Sequence, residues 1–185
     1  GLNRFIWDLK HSGPTKLDGH GVRLRGPFID EVSVAANDPA ESPGCVFIDG
    51  RGQIVTAGFI DPFTSLGLLE IDGENTTVDT DNKALHQDTQ QLVRAAVKTS
   101  LGFNPRSTLI PVARAAGVTS ALSWPVGGVI AGQGFWVDLV GHPQARRKDS
   151  IRKDPAGLFG QLGARAESRV SALHVLDLAL REAAI

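Results

Sequence analysis

Gly52-Gln53-Ile54-Val55-Thr56-Ala57-Gly58-Phe59-Ile60-Asp61, continued by Pro62-Phe63-Thr64-Ser65, is the stretch whose reading decides the fold. Ile54-Val55-Thr56-Ala57 reads as a strand returning from the turn signal Asp49-Gly50-Arg51-Gly52, in which glycine supplies the positive φ of a tight hairpin. Gly58-Phe59-Ile60-Asp61-Pro62 then ends an apolar strand in a loop-forming proline. Upstream, Val22/Leu24 and Val32/Val34 keep a period of two, and Cys45-Val46-Phe47-Ile48 is a short apolar run. Several short strands before residue 57 predict a small antiparallel sheet. Residues 1–20, a mix of Gly, Pro and charge around Phe5-Ile6-Trp7, read as a loop or an anchoring arm.

Downstream the pattern changes. Glu70 to Asp88 carries six carboxylates and few apolar residues, the composition of a long polar loop. Gln90–Val97 reads as a short helix. Asn104-Pro105-Arg106-Ser107 is a stop followed by an N-cap, and the helix it starts, Thr108–Ala116, ends at Gly117, a left-handed C′ residue. Val118–Leu122 follows as a strand, giving the helix-then-strand half of a βαβ unit. The Gly-rich run Gly127–Gly134 leads into a strand over Phe135–Val140, residues 142–155 read as a basic surface connection, and a helix begins after Ser168. Its apolar positions Val170, Leu173, Leu176 and Leu180 recur at spacings of three and four.

Composition narrows the function classes. The 19 Lys and Arg against 20 Asp and Glu leave a net charge of -1, so no basic excess exists to track phosphates and nucleic acid is not an expected partner. No apolar run approaches the roughly 18 to 20 residues that span a bilayer, so no membrane partner is expected. The single cysteine, Cys45, can form no internal disulfide and sits in an apolar strand, where a thiol is a packing group. The chain has no Met and residues 1–20 lack the apolar core of a signal peptide, so a processed or partial chain is expected.

Motifs narrow them further. The run Gly127–Gly134 ends in Gly-Gln-Gly-Phe without the Gly-Lys-Ser/Thr of a phosphate loop, and it precedes a strand rather than a helix, so it reads as a demanding connection. Asp79-Thr80-Asp81-Asn82 opens like a calcium loop, but the sixth position is Ala84 and the twelfth Gln90. Asn75-Thr76-Thr77 fits the glycosylation pattern, a tripeptide common by chance. None of the five histidines has zinc-ligand spacing, and His86 alone lies in a carboxylate-rich stretch. No Gly-x-Ser-x-Gly nucleophile motif occurs.

The stretch from Gly52 to Asp61 resembles the entry to the amidohydrolase superfamily, and specifically its imidazolonepropionase-like branch. Phe103-Asn104-Pro105-Arg106-Ser107, Leu109–Thr119, Gly132-Gln133-Gly134 and Val137-Asp138-Leu139-Val140-Gly141 carry the resemblance on, over residues 21–184. It implies an α/β fold: a small antiparallel β-sandwich element, then the first strands and helices of an incomplete (β/α)8 TIM barrel. The expected domains are residues 1–57, arm and sandwich element, and 58–185, partial barrel. A whole barrel needs about 250 residues, so a fragment or a half that joins another chain is expected.

Where the family places His-x-His at the end of the first barrel strand, this chain has Phe63-Thr64-Ser65. Phenylalanine cannot ligate a metal and serine is a poor substitute for imidazole. Asp61 matches the family Asp before that pair. The expected reading is a diverged amidohydrolase-like protein with a binding or structural role, no resident cofactor or metal, and pocket candidates Asp61, Phe63, Ser65 and His86. One alternative is a metal-dependent hydrolase of a non-peptide C–N bond, in a cyclic amide or acyl-amino substrate, using Zn, Mn or Fe with the rest of its site outside this chain. The other is an unrelated α/β interaction domain. The expected partners are a small-molecule ligand and either a second copy or a complementing chain.

Overall fold

A computed structural model describes residues 15–16, 20–25, 28–34, 54–80, 92–140, 146–162 and 168–184, with backbone alone described for the first three spans and Val55. The Cys45–Ile48 run, the Asp49–Gly52 turn and His86 lie outside the described residues. The chain forms two compact units, Gly1–Phe59 and Ile60–Ile185.

In the first unit, β1 (Thr15–Lys16) pairs antiparallel with β4 (Ile54–Val55) in the register Thr15↔Val55. The segment read as a loop or arm thus contributes a strand, and it pairs with Ile54–Val55. The period-two segments form a second ladder, β2 (His20–Arg25) against β3 (Phe28–Val34), with Val22 opposite Val32 and an irregularity at Arg23/Leu24. These are two separate two-stranded ladders among the described strands.

The second unit is built on a four-stranded sheet in the order β5-β6-β7-β8: β5 (Phe59–Thr64), β6 (Val118–Ser123), β7 (Ile130–Asp138) and β8 (Ile151–Gly160). The Trp124 amide, just past the end of β6, donates to the Thr64 carbonyl at the end of β5 at 2.9 Å. Both strands therefore end side by side and run parallel. Helix α1 (Leu109–Ala115) lies in the long connection between them, as a parallel pair requires. Its cap position is Thr108, one residue later than expected and without a side-chain cap bond, while the Ser107 hydroxyl before it accepts the Leu109 N–H at 3.3 Å. Gly117 ends it at φ +90°.

Beyond β6 the sheet departs from barrel alternation. β7 runs antiparallel to β6 with Ser120 opposite Asp138, and β8 runs antiparallel to β7 with Gly134 opposite Gly157. The cause is length. Only residues 124–129 join β6 to β7, whereas a parallel crossover needs a dozen residues or more. Gly127 and Gly128, both at positive φ, turn the chain back. Residues 142–155, read as a surface connection, instead contain the short helix α2 (Arg147–Ser150) and the first half of β8. The sheet is mixed and open among the described strands.

The helix expected over Gln90–Val97 is also absent from its described part, 92–97, which runs in turns beside β7. Beside β7, β6 covers only Phe135–Asp138, leaving the edge of its first half unpaired. That edge takes the 92–98 segment instead, through Arg94 N–H to Ile130 O at 2.8 Å and Gln133 N–H to Val97 O at 2.8 Å. Satisfying backbone groups along a sheet edge outweighs the local preference of Leu92–Val97 for helix.

The main core joins Leu66, Leu68, Phe103, Ile110, Phe135 and Val137, with the Phe103 and Phe135 rings edge-on at 5.3 Å. Helix α3 (Arg169–Ala183) is capped by Ser168, whose hydroxyl accepts the Ser171 N–H at 3.1 Å. Its inward face differs from the expected stripe. Ala172, Val175 and Leu176 pack with Val129 and Leu92, while Val170 and Leu180 stay 77% and 60% exposed. A small residue at 172 lets the helix approach Val129 closely, and this close approach decides which face turns in.

Replacing Phe135 by Ala should lower unfolding free energy in urea by about 3–5 kcal/mol. Replacing Leu173, which is outside both clusters, by Ala should change it by about 0.5 kcal/mol or less.

Candidate functional site

The expected site lies at the carboxyl end of β5. Asp61 and Phe63 sit two residues apart on one strand and so share a face. The Asp61 carboxylate accepts the Phe63 backbone N–H at 3.1 Å. Phe63 is 63% exposed. Its ring packs on that of Phe159 with centroids 5.3 Å apart, and the Phe159 ring meets Trp124 at 5.7 Å. The strand positions therefore bring Phe63 into a row of three aromatic rings, an arrangement with no ligating atom for a metal.

Trp124 is the anchor of that row. Its indole Nε1 donates to the Pro62 carbonyl at 2.8 Å, which ties it to β5. Its ring lies over Gly134 of β7 and Gly157 of β8, which face each other in the ladder. A Cβ at Gly134 would overlap the indole, and one at Gly157 would meet it at 3.2 Å. These glycines are where they are because a large ring comes against the backbone.

Ser65 plays a different part from a ligand. Its carbonyl accepts the amides of Leu68 and Leu69 at 2.8 and 3.1 Å, so it opens the turn that leaves β5. Gly67, at φ +77°, lies beneath the Phe103 ring, and its carbonyl accepts the Asn104 N–H at 2.8 Å. Glu70 accepts from Asn104 Nδ2 at 3.2 Å and from the Thr108 N–H and hydroxyl at 3.3 Å each. Phe103–Thr108 is thereby clamped to the loop after β5, and the carboxylate stands against the start of α1, where the helix dipole favours negative charge. The buried Ser123 hydroxyl closes the same turn by donating to Leu66 O at 2.6 Å.

Asp138 ties the middle of the sheet. Nearly buried on β7, it accepts from the Ser120 hydroxyl of β6 at 2.8 Å and pairs with Arg152 Nε of β8 at 2.6 Å. A buried carboxylate held this way is paired on both sides and serves the strand ladder. Among the described residues no three His, Cys, Asp or Glu side chains gather as a metal cage. A cavity of about 210 Å³ lies elsewhere, lined by Asp79, Thr80, Arg94, Lys98 and Thr99, and shares no residue with the end of β5. Its buried Arg94 donates to the Val126 carbonyl at 3.0 Å.

Of the sequence-derived candidates, the structure places Asp61 and Phe63 on β5 and Ser65 in the turn directly after it, with His86 outside the described residues. The partners it adds, Trp124 just past β6 and Phe159 of β8, lie about 60 to 100 residues away along the chain. Little in the sequence signals them: Gly134 reads as part of the connection before Phe135, and no strand is read around Gly157.

Gly134→Ala should displace the Trp124 ring and weaken its bond to Pro62, at a cost of about 1–3 kcal/mol for overpacking. The near-UV circular dichroism of the tryptophans should change with it, and an unaltered spectrum and midpoint would count against the anchoring role.

No protein-family model matches the chain, and no curated protein matches it in sequence. A solved structure does: an amidohydrolase from Thermotoga maritima MSB8 is similar to it with a TM-score of 0.66 and 25% sequence identity. The likeness covers 87% of this chain and 42% of that one, so the chain spans less than half the length of its neighbour. In fold, and at this coarse level, the chain is amidohydrolase-like.

Proposed function

We propose that the chain is a diverged amidohydrolase-like protein of the imidazolonepropionase-like branch that has given up the usual metal pair and acts by binding. The observation that carries this reading is Phe63. Its ring stands where a ligating imidazole is expected and packs against Phe159. Without ligands at Phe63 and Ser65, no bound water is brought toward a neutral pKa, the step on which hydrolysis at such a centre depends. A small apolar or planar ligand suits the half-exposed aromatic row better than a charged one.

The same reading includes a partner, either a second copy or a complementing chain that continues the sheet toward a barrel. Phe59, Ile60 and Phe63 are each more than half exposed on an apolar strand, which supports this part of the reading. The extent of the likeness, 42% of the neighbour, favours a second reading. In it the chain is part of a metal-dependent hydrolase of cyclic amides or acyl-amino compounds, whose other ligands lie on sequence beyond this one.

Metal content separates the two. Purified protein incubated with Zn, Mn or Fe and then desalted should retain far less than one metal per chain by elemental analysis, and should not hydrolyse cyclic amides. Near-stoichiometric retention would overturn the binding-protein reading.

A further inference from the structure

The cavity of about 210 Å³ has walls that backbone bonds hold in place. On one side the Asp79 amide donates to Leu68 O at 2.7 Å, and Thr80 O accepts the Val126 N–H at 3.0 Å. On the other, Lys98 forms a parallel bridge with Gln133 of β7, and the Thr99 hydroxyl donates to Gln133 O at 2.8 Å. Gly102 lies against the side chain of Asp79, where a Cβ would come within 2.9 Å of the Asp79 Cβ and 3.2 Å of its Cγ. Arg94 serves the wall, its Nη2 donating to Val126 O at 3.0 Å.

Asp79 and Lys98 both line this space, yet they form no ion pair with each other and no side-chain hydrogen bond among the described residues. Thr80 is 5% exposed on the same lining, and its hydroxyl likewise bonds nothing among the described residues. A hydroxyl buried without a partner costs free energy, which a ligand's acceptor would offset. Opposite charges on one small cavity that do not reach each other are complementary to a molecule that carries both.

We propose that this cavity binds a small zwitterion of the amino-acid type, its ammonium against the Asp79 carboxylate and its carboxylate between the Lys98 ammonium and the Thr80 hydroxyl. The volume lies below the roughly 300–1,000 Å³ of sites for drug-sized ligands, so the occupant is small. A charge-assisted contact at each end fixes its direction. The site goes beyond the proposed function, because it shares no residue with the end of β5 and uses neither the aromatic row nor a metal position.

The test titrates the whole chain with L-alanine and β-alanine, and then with propionate and ethylamine, which keep one charge each. The amide shifts of Thr80 and Lys98 report the binding by NMR. At least one zwitterion should bind saturably, and propionate and ethylamine about tenfold or more weakly, the loss of one charge-assisted contact. Lys98→Gln and Asp79→Asn should each weaken that zwitterion by about tenfold. Asp72→Asn, in an exposed turn, should leave its affinity unchanged. No saturable shift with either zwitterion, propionate or ethylamine binding as tightly as the zwitterion, or an unchanged affinity in Lys98→Gln or Asp79→Asn would overturn the proposal. Should a variant fail to fold, the four compounds compared on the wild type decide alone.

Discussion

The indole of Trp124 meets three of the four strands of the sheet in the second unit. It follows β6, hydrogen-bonds the Pro62 carbonyl of β5, lies over Gly134 and Gly157 of the paired β7 and β8, and meets Phe159 at its side. The parallel pair β5/β6 and the antiparallel trio β6/β7/β8 are different kinds of ladder, and one side chain bridges them. The two glycines are the condition for it. Any Cβ at Gly134 would lift the ring and with it the contact that seats Phe159 and Phe63.

This anchor also explains the character of the candidate site. The end of a parallel strand is where α/β folds gather reactive side chains, because loops converge there on a rigid frame. Here the convergence brings rings together. Phe63 extends the row that Trp124 begins, and Asp61 beside it bonds the Phe63 amide. The neighbouring polar groups are committed to holding the loop: Ser65 to its turn, Ser123 to Leu66, and Glu70 to the start of α1. A site made this way can bind through surface and shape.

Much of this was legible along the chain. The parallel strand, helix and strand from Phe59 to Ser123 were readable because each element carries its own signal: an apolar run, Ser107 just before the helix, the Gly117 stop. The antiparallel return was not read, because the family pattern argued for barrel alternation, although residues 124–129 are too few for a parallel crossover. Nor was the place of the Gln90–Val97 segment. Its apolar spacing suits a helix, and only the unpaired half of β7 beside it turns it into an edge partner. The inward face of α3 was hidden for a similar reason, since Ala172 matters only for what it lets the helix approach.

The sequence by itself determined that no imidazole stands at positions 63 and 65, that the charge is near neutral, and that the strand at Phe59 leads into a turn. These are properties of side-chain chemistry and of spacing within a few residues, which no packing can alter. Tertiary structure alone decided that Phe63 joins Phe159 and Trp124, that Gly134 and Gly157 exist to admit an indole, and that Asp61 bonds the amide of Phe63. Those depend on which edge and which face each residue takes, and a strand's edges and faces are assigned only when its neighbours are in place.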